Sequence, residues 1–175
     1  MLSPLAYSIL VGVVIIQRVV ELSLASSHAR KLMQKGAYAV GEKNYFKMKL
    51  LHTSFFFALA VEGLWHYSPP GKNLFFSAIV LFLLGQFLRL SSIVILGERW
   101  TTKVYVVPEH SRIRNGLYCF FPHPNYLGVV LELWALPMLG GLWWTAVIFF
   151  LANLYVLSER VKIENEALLL SETDL

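Results

Sequence analysis

Apolar residues in this chain run in long, nearly uninterrupted blocks, and no other feature limits the possible folds as much. Leu5–Leu24, Leu50–Tyr67 and Leu74–Leu96 are three such blocks. Tyr126–Leu139 and Leu142–Leu157 are two more, joined at Gly140-Gly141. A bilayer core of roughly 30 Å takes about 20 apolar residues of helix to cross. The blocks therefore read as membrane helices, the fourth being short enough to tilt or to stop part-way. Composition agrees: 57% of the 175 residues are hydrophobic, 15% are charged, and the mean hydropathy is +0.58, whereas soluble domains carry about 25% charged residues. The expected fold class is all-α and integral to the membrane, with about five transmembrane helices in one domain over residues 1–175. The N-terminus lacks the basic start of a cleaved signal, so Leu5–Leu24 is expected to be a retained span.

The polar loops carry the orientation. Residues 25–49 hold Arg30, Lys31, Lys35, Lys43, Lys47 and Lys49; residues 97–125 hold Arg99, Lys103, Arg112 and Arg114; Arg160 and Lys162 follow the last block. The loops of the other side offer only Lys72. Basic loops stay on the cytosolic side, which places both loops and the C-terminus there. The net charge of +4 is spread over these loops, so it suits anionic membrane lipids and not nucleic acid. Residues 25–49, with Gly36 and Gly41, read as an amphipathic piece in the interface. The run Lys103-Val104-Tyr105-Val106-Val107 is β-like, and since an open sheet edge does not sit in lipid, it is expected on the cytosolic face.

Three groups of residues are able to carry chemistry. Pro124 suits the first turn of a helix, and His123 before it is held extended. An imidazole and the phenol of Tyr126 therefore stand at the mouth of a membrane helix, where Tyr126 would serve equally well as an interfacial belt residue. In the run Glu159–Glu166, Arg160 and Glu164 lie one turn apart and are able to pair; the same run also fits a solvated charged helix. Arg18, Arg89 and Glu132 each lie about seven residues inside the cytosolic end of a block, a common depth of roughly 10 Å. Charges at that depth are costly and are usually paired or functional. Glu62 lies deeper and has no evident partner. Cys119 is the sole cysteine, so no intrachain disulfide is possible. A Cys119–His123 nucleophile conflicts with the extended backbone at Pro122-His123-Pro124. A metal held by His110 and His123 lacks supporting ligands, and no metal is expected.

Taken together, Gly97-Glu98-Arg99-Trp100-Thr101-Thr102-Lys103, Pro108-Glu109-His110, Asn115-Gly116-Leu117-Tyr118, His123-Pro124-Asn125-Tyr126-Leu127-Gly128 and Arg160–Leu168 resemble the isoprenylcysteine carboxyl methyltransferase family. The wording is similar to its bacterial branch, which includes methyltransferases of alkylpyrones and alkylresorcinols. The resemblance implies S-adenosylmethionine as cofactor, bound on the cytosolic side of a bacterial inner membrane, and a lipophilic small molecule that arrives sideways from the bilayer. It implies that His123, Tyr126 and Glu164 contact the cofactor, with Val107, Pro108, Gly116 and Leu117 close by, and that Arg160 sits at the methyl-transfer centre. Residues 1–96 would then be a three-helix membrane part and residues 97–175 the catalytic part. Two departures stand out: Pro122 replaces the arginine common before His-Pro, and Asn165 replaces a second glutamate. The first disfavours a prenylated-protein substrate. Arg89 is a further cation for a carboxylate acceptor, and Glu132 or His123 a proton acceptor for a hydroxyl or enol acceptor, the class that a Glu132 beside the pocket favours. A non-catalytic lipid-binding or transporter-like protein, or a nicotinamide-dependent membrane reductase, fits the same helical scaffold.

Overall fold

The computed structural model describes residues 2–107 and 113–173, with side chains as far as Leu169. Five helices follow in chain order: α1 (Pro4–Gln34), α2 (Glu42–His66), α3 (Lys72–Leu96), α4 (Pro124–Gly140) and α5 (Trp143–Thr173). They lie where the apolar blocks predict helices. By length and composition α1 and α3, the latter with the turn that follows it, are apolar enough to cross a membrane, with mean hydropathies of 1.9 and 2.2. Five full spans are not established. The 17 residues of α4 reach only about 26 Å, and nearly all of its C-terminal half is buried within the protein.

Residues 25–49 do not form a separate interfacial piece. Helix α1 continues through Gln34, residues Tyr38–Val40 form strand β1, and α2 begins at Glu42. Strand β1 pairs antiparallel with β2 (Val104–Val106), in the register Tyr38↔Val106, Ala39↔Tyr105 and Val40↔Val104. The β-like run thus finds its partner in the other basic loop, which satisfies backbone groups that hydrocarbon would leave bare. Lys31 and Lys35 add ion pairs to Glu98 at 2.9 and 2.8 Å. The two basic loops therefore meet at one end of the helical bundle.

Helices α3 and α4 pack closest. A Cβ placed on Gly128 would lie 2.8 Å from the Gly85 carbonyl oxygen, and one on Gly85 would lie 3.0 Å from the Gly128 carbonyl oxygen. Small residues let membrane helices approach in this way when no hydrophobic drive separates protein from lipid. At the far end Gly141 adopts φ +72. The Ser68 amide donates to the Gly140 carbonyl at 3.1 Å. Glu62 finds its role here: its carboxylate accepts from the amides of Trp144 and Thr145 at 3.1 and 2.7 Å. It caps the start of α5, whose first amides have no helical partner and whose dipole favours an anion.

A Cβ at position 141 would lie 1.8 Å from the Ser68 carbonyl oxygen, on a backbone that also disfavours any L side chain. Gly141→Ala is expected to destabilise the protein by more than about 1 kcal/mol. Gly12→Ala, where nothing lies within 4 Å, is expected to leave stability unchanged or slightly raised. Thermal unfolding of the two variants in detergent gives the comparison, and equal midpoints would contradict this packing.

Candidate functional site

A cleft opens at the basic end, between β2, the start of α4 and the charged part of α5. Its walls include Val104, Val107, Tyr118, Tyr126, Arg160 and Glu164. Each side chain arrives there for a local reason. Strand β2 is pinned by β1 and delivers Val104–Val107. Pro124 fixes the first turn of α4, so Tyr126 projects from that turn. Arg160 and Glu164 are one turn apart on α5, so both face the same wall.

The polar groups form a chain. The Arg160 Nε donates to the Tyr126 hydroxyl at 3.2 Å, and its Nη2 donates to the Thr102 carbonyl at 2.8 Å. The Tyr126 hydroxyl donates in turn to the Glu164 carboxylate. The expected direct pair of Arg160 with Glu164 is not formed, because Tyr126 stands between them. The His123 ring stacks on Tyr126, with centroids 5.2 Å apart and planes 16° apart. Its Nδ1 lies 3.7 Å from the Glu164 carboxylate. Arg160 is only 3% exposed, yet its Nη1 has no hydrogen-bond partner among the described residues. A buried guanidinium N–H without a partner is costly. Burial pushes the Tyr118 hydroxyl up to about 12, which keeps it protonated as a neutral wall of the cleft.

Gly116 and Leu117 belong to a 3-10 turn over Gly116–Cys119 and are not lining residues. They carry Tyr118 into the cleft, and Gly116, at φ +53, packs against Ile95. Pro108, expected beside the cofactor, lies outside the described residues, as do His110 and Arg112. Cys119 is exposed, and its thiol donates to the Arg114 carbonyl at 3.1 Å.

Arg89 and Glu132 are brought together, but not here. Neither lines the cleft. Glu132 lies six positions after Tyr126, about 240° around the helix, and faces α1 and α3. There Arg18 pairs with Glu21 and Glu132, and Arg89 pairs with Glu21 and lies 3.4 Å from Glu132. The Gln17 amide joins Glu21 at 2.9 Å and Gln86 at 2.8 Å. The shared depth of Arg18, Arg89 and Glu132 does correspond to one cluster. Glu21 is the member that a reading of depths alone overlooks. The signal for it was local: an acid three positions after Arg18, on the same face of the helix. Two arginines and two glutamates leave the cluster without net charge.

The family model of the isoprenylcysteine carboxyl methyltransferase (ICMT) family matches residues 78–170, which contain every lining residue of the cleft among the described residues except Leu32. A Bacillus subtilis (strain 168) protein, uncharacterized protein YpbQ, is 32% identical over 161 residues, or 91% of this chain and 95% of its own length. A Haemophilus influenzae (strain ATCC 51907 / DSM 11121 / KW20 / Rd) uncharacterized protein is 31% identical over 159 residues, 86% of this chain and 88% of its own length. No solved structure matches.

Breaking the charge balance of the cluster is expected to damage the fold. The Glu21 side chain is only 8% exposed and bonds both arginines. Glu21→Ala leaves the buried Arg89 and the half-buried Arg18 short of a counter-charge and should destabilise the protein by roughly 3–5 kcal/mol. Glu21→Gln should cost less, since it keeps the shape and an acceptor oxygen. Chemical unfolding in detergent micelles measures both, and wild-type stability for Glu21→Ala would show that the cluster does not hold α1 in place.

Proposed function

We propose, since the chain belongs to the isoprenylcysteine carboxyl methyltransferase family, that it is a membrane-embedded, S-adenosylmethionine-dependent O-methyltransferase acting on a lipophilic acceptor. The family supports a membrane methyltransferase; the cofactor, the acceptor and the roles below are our reading. One observation carries it: the buried Arg160 guanidinium lines the cleft and is tied through the Tyr126 hydroxyl to Glu164, with an Nη1 that has no hydrogen-bond partner among the described residues.

These residues fit the cofactor. Glu164, with Tyr126 and His123 stacked beside it, offers a carboxylate and an aromatic surface to hydroxyl or ammonium donors. Arg160 Nη1 offers an N–H to an oxygen anion. When bound, S-adenosylmethionine would supply a sulfonium methyl carbon for in-line attack by an oxygen nucleophile, with the thioether sulfur leaving with the electron pair of the C–S bond. The protein's contribution is position, and holding two reactants in the right geometry is worth several kcal/mol. Arg160 Nη1 would hold the acceptor oxygen. Its bonds to Thr102 and Tyr126 fix the guanidinium plane, so that the donor has one direction. Tyr118, held neutral, and Val104 and Val107 would keep water from that oxygen.

The charges favour an anionic oxygen as acceptor. Among the described residues Arg99, Lys103 and Arg160 line the cleft, against the single carboxylate of Glu164. A carboxylate of a prenylcysteine-like compound fits this field, and so does the ionised hydroxyl or enol of an alkyl-chain phenol or pyrone. Glu132 lies outside the cleft, so a proton held by a neutral hydroxyl would have to leave through His123 or Glu164. Arg89 keeps a role through the α3–α4 geometry and not through contact with the acceptor.

We further read the protein as multi-pass in a bacterial inner membrane, in contact with membrane lipids, with the cleft facing the cytoplasm. The pairing of both basic loops at the cleft end supports this. With Cys119 replaced by serine, single cysteines at positions 35 and 114 are expected to be labelled from the same side in intact cells and inverted vesicles. Labelling from opposite sides would reject the orientation.

Binding of S-adenosylhomocysteine by calorimetry separates an enzyme from a non-catalytic membrane protein. His123→Ala and Glu164→Ala are each expected to weaken it by about tenfold or more, which is roughly 1.4 kcal/mol. Arg160→Lys, which loses the planar fork, should lower kcat by about a hundredfold, read as radiolabelled methyl incorporated from S-adenosylmethionine into a host lipid extract. Unchanged affinity in folded His123 and Glu164 variants would reject the assignment. NADPH binding without S-adenosylhomocysteine binding would favour a reductase instead.

A further inference from the structure

The loop that carries Tyr118 into the cleft also carries two phenylalanines out of it. Phe120 is 80% exposed and Phe121 is 47% exposed. Their exposure is built into the backbone: the amides of both residues donate to the Leu117 carbonyl, at 3.1 and 3.0 Å. That closure ends the 3-10 turn and turns the two side chains away from the protein. A single exposed apolar residue needs no explanation, but two adjacent aromatic rings fixed outward do.

The surface next to them names the partner. Gly116 at the start of the turn packs on Ile95, at the last turn of α3. Phe87, Leu90 and Val94 form one stripe on that helix, at 57%, 49% and 80% exposure. Positions three and four apart share a helix face. Helix α3 has 25 residues, about 37 Å of helix, somewhat more than a hydrocarbon core of roughly 30 Å. Its last turn therefore reaches the interface, and the Gly116–Cys119 turn sits at the same level. Leu127, one turn into α4, adds an exposed apolar side chain, at 40%. Arg114, also exposed, lies at the polar edge of the same segment, where a guanidinium meets lipid phosphates.

We propose that Phe120 and Phe121 form a wedge inserted into the acyl region of the leaflet at the basic end, so that this loop is a membrane-seated wall of the cleft. The rings continue the lipid-facing stripe of α3 around the corner of the fold. Tyr118 and Pro122, on either side of them in sequence, line the cleft, so seating the rings holds the mouth of the cleft at the boundary between acyl chains and headgroups. If the methyltransferase reading of the cleft is right, a lipophilic acceptor keeps its chain in the bilayer while its polar end reaches Arg160, without crossing water.

The test uses the full chain, with Cys119 replaced by serine, in vesicles of phosphatidylethanolamine and phosphatidylglycerol. A nitroxide is attached in turn to F120C, F121C and R114C. Power-saturation spectroscopy is expected to find positions 120 and 121 more accessible to oxygen than to a water-soluble nickel chelate, and position 114 the reverse. Equal, water-like accessibility at 120 and 114 would overturn the proposal. Phe120→Ser with Phe121→Ser should then raise KM for a membrane-borne acceptor by about tenfold while S-adenosylhomocysteine affinity stays within about twofold. If the wild-type protein binds no S-adenosylhomocysteine, the methyltransferase reading falls, and the nitroxide depths alone still decide for or against insertion.

Discussion

The backbone contact of Gly85 with Gly128 sets the position of everything at the basic end. It brings α3 and α4 closer than any side chain would allow. Once α4 lies there, its two faces acquire different tasks. One face carries Glu132 towards Arg89 and, across to α1, Arg18 and Glu21. The other carries Tyr126 towards Arg160 and Glu164 on α5. A shift of α4 along α3 would break both sets of contacts at once, because both hang on the same 17-residue helix.

The two polar groups look alike in composition but differ in their charge accounts. The cluster around Glu21 balances two arginines with two glutamates, and its bonds run between helices. Its charges are offset by its own partners, although Arg89 Nε and Glu132 Oε1 have no hydrogen-bond partner among the described residues. In the cleft the tie of Arg160 runs to a neutral hydroxyl and a backbone carbonyl, so its charge is not cancelled directly. Glu164 is one phenol away. An arginine that is buried, oriented and only partly satisfied carries a cost that the Glu21 cluster spreads over charged partners. The sequence-level expectation that placed Arg89, Glu132 and Arg160 together did not separate these two situations. Only the rotation around α4 does.

Much of this was legible beforehand because hydropathy is a one-dimensional signal. The apolar blocks marked all five helices, Pro124 marked the start of α4, and the β-like run at Lys103–Val107 was a strand. What failed was what depends on pairing between distant parts. Strand β1 is three residues long and becomes a strand only because β2 lies beside it. Helix α1 runs ten residues past its apolar block, to Gln34, where Lys31 and the C-cap Lys35 meet Glu98. Glu62 had no evident partner in the sequence, since its partners are backbone amides and those carry no letter. The intervening Tyr126 was invisible for a similar reason: spacing along α5 allows Arg160 to meet Glu164, but cannot show a phenol from α4 entering between them.

Helix α5 explains how a short chain positions a polar site beside lipid with so few ties. It is one 31-residue helix, with Glu62 capping its first turn at one end of the bundle and Glu164 in the cleft at the other. A rigid helix transmits position along its axis, so the site need not be fixed by loops alone. Asn44 and Lys47 on α2 hold Glu159 at 3.3 and 2.8 Å, one residue before Arg160, and set the rotation of α5 at that level. That rotation decides whether Arg160 faces Tyr126 or the lipid. For a reaction that depends on aligning two reactants, the direction of one N–H is what the scaffold has to supply. Here that direction is fixed by Tyr126 on α4 and the carbonyl of Thr102, which bond the guanidinium itself, and by α2, which holds the neighbouring Glu159.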